Sequence, residues 1–261
     1  MTIAGSDSGG GAGIQADLKT FAVLGVWGTS ALTSITVQNT KGVTGVADVP
    51  TDVVAAQIQS VAGDIGVDAA KTGMLSTRSI IESVADAIES SSVPNLVVDP
   101  VFVSKHGHPL LRPDAVESLK RRIVPLASLV TPNLHEAAGL AGFEVADRQG
   151  MERAAHAILA LGAGAVLVKG GHLEGAAADD LFVDGTTVRW LDGERIDSPN
   201  THGTGCVLSA AIAAHLARGL DLLEAATEAK RFVTDAIRHG LALGGGIGPV
   251  SPGWRWMAER R

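Results

Sequence analysis

Residues that could bind an anion and transfer a proton follow one another between Asn200 and Ser209. Four of them lie where a loop passes into a predicted helix, over roughly residues 204–218, that contains an apolar run at residues 210–216: Gly203, Thr204, Gly205 and Cys206. The first N–H groups of a helix have no partner within it, and the aligned peptide dipoles make that end partly positive. Because glycines let an anion approach the backbone closely, the segment suits phosphate oxygens or a developing oxyanion.

Cys206 falls in the first turn of that predicted helix, where the same field would stabilise its thiolate. The alternative is an ordinary capped helix whose cysteine packs as a small apolar side chain. The glycines on both sides of Thr204 favour a functional interpretation, and both interpretations stay open on these residues alone.

Three further positions could bind a nucleotide and its metal. Asn133 and Glu136 are three residues apart at a predicted helix start, so they share a face and could organise a hydrated Mg²⁺. The alternative is an acidic residue placed for the helix dipole. Asp99 could be a second magnesium carboxylate or only a turn former before Pro100. Lys169 ends a predicted strand and could reach phosphate oxygens, or it could be a solvated lysine.

Two more polar residues lie in or beside glycine-rich loops. Asp17 lies one turn into the first predicted helix, next to the loop from Gly5 to Gly13, and could orient a ligand; a solvated carboxylate is the alternative. His202 lies in the segment before the predicted helix, and its role stays open at this point.

Common motifs exclude several enzyme classes. A loose dinucleotide pattern, at Gly11, Gly13 and Ala16, lacks the acidic residue that should end the second strand; that strand ends at Gln38 and Asn39. The chain has no P-loop motif, no zinc-type cysteine and histidine spacing, and no nucleophile elbow of the hydrolase type.

Composition is typical of one globular enzyme. The 261 residues predict a single α/β domain over residues 1–261, and the net charge of −7 argues against a nucleic-acid partner. No apolar run approaches the roughly 20 residues that span a membrane, and we see no signal peptide. A single cysteine cannot form an internal disulfide, which fits a cytoplasmic protein.

Short apolar strands alternate with amphipathic helices, which is the α/β pattern. The pair Thr131-Pro132 is expected to open a helix with the threonine as its cap, and Asp184-Gly185 predicts a hairpin. Residues 103–109 form a candidate mobile loop. In such sheets ligands bind at the carboxyl ends of the strands, and there the pattern brings together Gln38, Asp99, Asn133, Lys169 and the two glycine loops.

Seven segments occur across most of the chain in a specific order: Gly5–Thr20, Val37–Thr40, Lys71–Leu75, Val98–Val101, Thr131–Ala137, Val168–His172 and Asn200–Cys206. Together they resemble the bacterial hydroxymethylpyrimidine/phosphomethylpyrimidine kinases of thiamine biosynthesis. The Gly-Thr-Gly segment by itself would indicate only the wider ribokinase-like superfamily.

The resemblance implies a ribokinase-like α/β fold with a mostly parallel central sheet and helices on both faces. It also implies phosphorylation by ATP, with Mg²⁺, of 4-amino-5-hydroxymethyl-2-methylpyrimidine to its monophosphate and then to the diphosphate. Gln38 matches the family's pyrimidine-binding glutamine, whose amide can both donate to and accept from an aminopyrimidine edge. The residues expected in the same pocket are Gly5, Asp17, Met74 and Val101.

By the same resemblance, Cys206 stands where most ribokinase relatives carry an aspartate base. Asn133 and Glu136 then belong to the magnesium and phosphate network, and Lys169 to the ATP phosphates. Two alternatives remain: a pyridoxal or pyridoxine kinase of the same superfamily, and a non-catalytic pyrimidine-binding sensor. A sensor should have lost Cys206, Lys169 or the glycines, and none is lost. We expect a homodimer, which is common in the family and among oligomers generally.

Overall fold

The computed structural model describes residues 1–105, 107–171 and 177–257 of the chain. All nine strands of the described residues belong to one sheet. The strands are β1 (Thr2–Asp7), β2 (Ser30–Asn39), β3 (Gly42–Asp48), β4 (Ala70–Thr72), β5 (Leu96–Val98), β6 (Leu129–Val130), β7 (Ala165–Val168), β8 (Asp180–Asp184) and β9 (Val188–Leu191). The helices are α1 (Gly13–Val23), α2 (Thr51–Asp64), α3 (Arg78–Ser90), α4 (Leu134–Ala141), α5 (Arg148–Leu159), α6 (Thr204–Ala217), α7 (Leu222–Arg238) and α8 (Trp254–Met257). Shorter helical turns occupy residues 113–126.

The sheet has the order β3-β2-β1-β4-β5-β6-β7-β8-β9. Six neighbouring strands of the sheet run parallel: β2, β1, β4, β5, β6 and β7. The other three pair in antiparallel fashion, β3 with β2, β8 with β7 and β9 with β8. The mostly parallel sheet is therefore confirmed, and so is the hairpin at Asp184-Gly185, which joins β8 to β9.

Helices cover both faces of the sheet, as expected. Along β5, the side chain of Val98 joins a core with α2, α3, α4 and α5, whereas its neighbour Val97 joins a second core with α1, α6 and α7. In β6, Val130 joins the first of these cores and Leu129 joins the second. Successive side chains of a strand point to opposite faces, so these short apolar strands carry two cores at once.

Helix α6 is enclosed by the second core. Every residue from Val207 to Leu216 is buried, which explains why this stretch has no amphipathic pattern. Burial of a whole helix fixes the position of its N-terminus, and Gly203, Thr204, Gly205 and Cys206 lie at that end. In the described part of the chain, no helix is long and apolar enough to cross a membrane.

Two local expectations are wrong. Thr131 does not cap α4; Asn133 does, by accepting a hydrogen bond from the N–H of Glu136 while the Glu136 carboxylate accepts one from the N–H of Asn133. This reciprocal capping box satisfies two free N–H groups. Thr131 lies two residues before the N-cap position, so its side chain could not form the same pair of bonds. The sequence also predicts one helix over Pro113–Arg122, whereas residues 113–126 form a series of short 3₁₀, α and π turns.

Candidate active site

A cleft of about 870 Å³ lies at the carboxyl ends of the parallel strands. Twelve of the thirteen residues proposed from the sequence line it: Gly5, Gln38, Met74, Asp99, Val101, Asn133, Glu136, Lys169, Gly203, Thr204, Gly205 and Cys206. Gly5, Gln38 and Met74 lie at or near the carboxyl ends of β1, β2 and β4 and form one end of the cleft. The candidates that follow β6 and β7 form the other end, and Asp99 and Val101, which follow β5, lie between the two. The topology therefore brings the sequence candidates together, as the rule for parallel sheets predicts.

Asp17 is the exception, and its expected position in the pocket wall is wrong. Its side chain is fully buried beneath the cleft, where Lys71 Nζ lies 3.2 Å from its Oδ2 atom. Thr2 Oγ1 donates a further hydrogen bond of 2.6 Å to the same carboxylate. Asp17 lies on the inner face of α1, so it meets β4 and not the ligand space. Lys71, which we did not select from the sequence, lines the cleft in its place.

The N-terminus of α6 has the form expected of an anion site. Gly203 begins the helix with a φ of +83°, and a Cβ there would lie 1.9 Å from Gly11 O, so only glycine allows the two loops to touch. The first bond of the helix runs from the N–H of Val207 to Gly203 O. The N–H groups of Gly205 and Cys206 come before it and have no partner within the helix.

Cys206 is half-buried and lies between the cleft and the second core. The backbone N–H of Gly13 favours the thiolate form of Cys206 and so lowers its pKa. Burial raises the pKa of the Cys206 thiol to about 12; Lys71 opposes the shift, while Asp17 and Asp99 add to it. Loss of solvation on burial therefore opposes the stabilisation of the thiolate that we expect from the helix field, and that stabilisation stays a prediction.

Lys169 lies between two carboxylates at the other end of the cleft. Its Nζ atom is 3.0 Å from Asp99 Oδ1 and 3.8 Å from Glu136 Oε2. Burial alone would lower the pKa of Lys169, but the two carboxylates raise it above its ordinary value, so the side chain stays protonated and positively charged. The alternative of a solvated strand-end lysine is excluded, because only 16% of the side chain is exposed.

The residues at this end fit a magnesium ion that arrives with a nucleotide. Burial raises the pKa of Glu136 to about 7; Lys169 lowers it and Asp99 raises it further. Asp99 and Glu136 thus share the single positive charge of Lys169, so the two carboxylates would attract a further cation. Among the residues described here, no group of three or more His, Cys, Asp or Glu side chains could hold a metal alone. Magnesium commonly takes only one or two carboxylates and completes its shell with phosphates and water.

The end of the cleft that contains Gln38 is also lined by Gly5 and Met74. Met74 packs against Gly5, where a Cβ would lie 3.2 Å from the sulfur. The Gln38 backbone is held on both sides by Ser8, whose hydroxyl donates to Gln38 O and accepts from its N–H. Val101 completes the wall next to Asp99. An amide fixed among apolar side chains is the arrangement of a small ring-binding pocket.

His202 and Asp7 are a pair that the sequence reasoning did not connect. His202 Nε2 lies 3.0 Å from Asp7 Oδ2 and 3.2 Å from the side-chain amide of Gln38. A signal existed for Asp7 alone, because an aspartate two residues before a glycine commonly binds the following N–H groups. Its partner lies 195 positions away, so no local pattern could reveal it.

The candidate mobile loop and one motif reach beyond the described residues. Val103, Ser104, Lys105 and Gly107 line the cleft, and the N–H of Gly107 donates to Ser104 O. His106 of this loop and His172 of the segment Val168–His172 lie outside the described part of the chain. Loop closure stays a prediction.

Similarity to known proteins agrees with this geometry. The family model for phosphomethylpyrimidine kinase matches residues 7–251. The hydroxymethylpyrimidine/phosphomethylpyrimidine kinase of Streptomyces coelicolor is 52% identical over 254 residues, which cover 97% of this chain and 94% of that protein. The thiamine biosynthesis bifunctional protein of Geobacter sulfurreducens is 49% identical over 251 residues, which cover 96% of this chain and 51% of that protein.

The structural comparison identifies the fold. The ADP complex of pyridoxal kinase from Bacillus subtilis has a TM-score of 0.91 and 44% sequence identity, and the alignment covers 98% of this chain and 97% of that one. The ribokinase-like fold expected from the resemblance is thus confirmed. With a family model that spans most of its length, this chain belongs to the phosphomethylpyrimidine kinase family.

Proposed function

We propose that the protein transfers the γ-phosphoryl group of ATP to 4-amino-5-hydroxymethyl-2-methylpyrimidine, and then a second one to the resulting monophosphate, in thiamine diphosphate biosynthesis. The observation that carries the proposal is that Gln38 and Cys206 line the same cleft, with the α6 N-terminus between the ring-binding end and Lys169. The similarity to the hydroxymethylpyrimidine/phosphomethylpyrimidine kinase of Streptomyces coelicolor supports the choice of substrate, and the similarity to the thiamine biosynthesis protein of Geobacter sulfurreducens supports the pathway.

The chain's residues divide into two binding groups. Gln38 pairs with the pyrimidine edge, while Met74 and Val101 contact the ring and Gly5 leaves space for it. At the opposite end, Lys169 and the N–H groups of Gly205 and Cys206 bind phosphate oxygens. The hydroxymethyl arm then points towards the N-terminus of α6, since that end of the helix adjoins both groups.

Phosphoryl transfer needs positioning and charge stabilisation more than covalent chemistry. Lys169 supplies a permanent positive charge, and the backbone amides of α6 supply donors that need no reorganisation. Asp99 and Glu136 would hold Mg²⁺, with Asn133 beside them. The metal supplies neutralisation of the charge on the phosphate oxygens. When it is present, the like-charge repulsion between Asp99 and Glu136 is relieved.

Cys206 takes the proton of the attacking hydroxyl, and only its thiolate can do so. Because its pKa is about 12, the thiolate is a minor form at neutral pH. The buried cation of Lys71 favours that form, since its positive charge lowers the Cys206 pKa. We therefore propose that Lys71 holds a positive charge close to Cys206 and so favours its thiolate.

Product analysis tests the proposal directly. Mass spectrometry of a reaction with the pyrimidine, ATP and Mg²⁺ should reveal the monophosphate first and the diphosphate later. Cys206→Ala should reduce turnover by about 100-fold or more and leave pyrimidine affinity within about threefold. Turnover near that of the unchanged protein would remove Cys206 as the base. ATP consumption that does not depend on the pyrimidine would contradict the assignment, and absence of turnover with retained binding would favour a sensor.

A pyridoxal kinase activity is the second candidate, because the Bacillus subtilis pyridoxal kinase is so similar in fold and sequence. A pyridine ring with a hydroxymethyl arm could occupy the same end of the cleft. The ratio of kcat/KM for the hydroxymethylpyrimidine and for pyridoxal decides between the two substrates.

Three parts of the proposal concern the setting of the enzyme. We propose Mg²⁺ as the metal, the cytoplasm as the location and a homodimer as the assembly. Ile35 and Val37 are both exposed on one face of β2, where a second copy could cover them. Analytical ultracentrifugation at several protein concentrations would test the dimer.

A further inference from the structure

The carboxylate of Asp7 organises the first glycine loop. It accepts hydrogen bonds from the N–H groups of Gly9 (2.8 Å), Gly11 (3.0 Å) and Ala12 (2.9 Å). Burial opposes ionisation, but the bonds from His202 and the backbone hold the pKa of Asp7 below its ordinary value. Asp7 is therefore an acceptor only, and everything bonded to it must be a donor.

That requirement determines where His202 carries a proton. Its Nε2 atom is 3.0 Å from Asp7 Oδ2, so Nε2 is protonated in both the neutral tautomer and the imidazolium. The backbone of His202 is fixed by hydrogen bonds, because its N–H donates to Gly248 O and its carbonyl accepts from the N–H of Val250. A Cβ on Gly11 would lie 2.6 Å from the ring, so loop and imidazole are in close contact.

The side-chain amide of Gln38 lies between His202 and Thr36. Its two ends are 3.2 Å from His202 Nε2 and 3.0 Å from Thr36 Oγ1. With the nitrogen towards His202, two donors would face each other. The oxygen would then need the single hydroxyl proton of Thr36, which is already donated to Ser6 O over 2.9 Å. A half-turn of the amide relieves both conflicts: the oxygen faces the Nε2–H of His202 and shares that proton with Asp7 in a three-centre hydrogen bond, and the nitrogen donates to Thr36.

We propose that Asp7, His202 and Thr36 lock the Gln38 amide in this one orientation, and that the lock makes the site select aminopyrimidines over oxopyrimidines. It rests on the proposed function, in which Gln38 binds the pyrimidine edge. The locked amide offers the ligand one N–H on the Thr36 side and one oxygen lone pair on the His202 side.

The selectivity follows from the order of donors and acceptors on the ligand. An aminopyrimidine edge presents an amino donor next to a ring-nitrogen acceptor, which matches the locked amide. A 4-oxo analogue presents an acceptor next to an N–H donor and needs the amide reversed. The ring cannot be turned over instead, because its hydroxymethyl arm must point to α6. Reversal of the amide would restore both conflicts, at His202 and at Thr36, and leave buried polar groups unpaired.

Two variants of His202 separate the lock from general packing. His202→Phe keeps a ring but removes the donor, whereas His202→Gln places an NH₂ group that can donate to Asp7 and to Gln38 together. The measured quantity is the ratio of kcat/KM for the 4-amino substrate to that for its 4-oxo analogue, taken within each variant. A uniform loss of activity leaves this ratio unchanged, so a merely structural role would not move it.

We expect a ratio of about 100 or more in the unchanged protein, a fall of at least about tenfold in His202→Phe, and a change under about threefold in His202→Gln. An unaltered ratio in His202→Phe, or an equal fall in His202→Gln, would overturn the lock. Thr36→Val and Thr36→Ser repeat the comparison from the other end, should His202→Phe not fold. Failure of the unchanged protein to phosphorylate the 4-amino compound contradicts the proposed function alone, and calorimetric affinities of the two compounds then test the lock.

Discussion

The protonation state of Cys206 gives the sharpest test of how this site works. Burial raises its pKa from 9.0 to about 12. A raised pKa means less thiolate at every pH below it. At about pH 8 the thiolate fraction falls from roughly one in ten to roughly one in ten thousand, a thousandfold difference.

Alkylation by iodoacetamide measures this fraction, because the thiolate is the nucleophile. Cys206 is the single cysteine of the chain, so intact-mass analysis detects that residue alone. The alkylation rate of the folded protein should rise about tenfold per pH unit from about pH 7 to 10, so that a plot of its logarithm against pH has no bend. The same protein unfolded in guanidinium should bend near about pH 8.5. Restricted access slows the folded reaction equally at every pH and does not create a bend.

A bend below about pH 9 in the folded protein would refute the argument that burial dominates the field of α6. The kinase assay supplies the second comparison. If the Cys206 thiolate is the base, log kcat/KM for the pyrimidine should rise in parallel with log alkylation rate. A plateau of kcat/KM near neutral pH, while alkylation still rises, would show that another group accepts the proton.

Five other substitutions test separate parts of the structure. Gln38→Ala should weaken pyrimidine binding by about 10- to 100-fold in calorimetry and leave ATP affinity unchanged, because only hydrogen bonds to the ring are lost; equal pyrimidine affinity would contradict the pocket. Lys71→Met should destabilise the protein by about 3–5 kcal/mol, or about 6–10 °C in Tm, because Asp17 is left as an unpaired buried charge. Adding Asp17→Asn should recover part of that loss in the same thermal unfolding measurement, and no recovery would argue against the pair. Gly205→Ala should keep its stability but reduce kcat by at least about tenfold, since its methyl group enters the anion site within 3.5 Å of Lys169 Nζ. Gly203→Ala should instead unfold at lower temperature, because its φ is +83°; equal Tm and kcat for both glycine variants would contradict this distinction.

Much of the site could be predicted because many of its residues lie at the carboxyl ends of strands. Asp99 and Lys169 each follow a short apolar strand, Gln38 is the last residue but one of β2, and parallel strands end at one edge of the sheet. The glycines before α6 also have a local cause, since a loop that meets another backbone closely excludes a Cβ. These inferences needed only the alternation of strands and helices.

The rest depends on contacts between distant residues. The pairing of Lys71 with Asp17 joins positions 54 apart, so the sequence could not tell a ligand-binding aspartate from a buried counter-ion. A lysine within a buried strand was the available signal, because such a cation needs a carboxylate. The pKa of Cys206 depends on how deeply α6 is packed. Strand β3 was not predicted because its residues are mostly exposed and include two glycines.

The contact between Gly11 and Gly203 has a consequence for synthesis on the ribosome. One of these loops leaves the exit tunnel near the start of translation and the other near its end, together with the Gly248 and Val250 backbone that holds His202. No nascent fragment that stops before these late segments can form the ligand cleft. We therefore expect newly made chains to gain ligand protection against proteolysis only after release, when the slow long-range closure is complete.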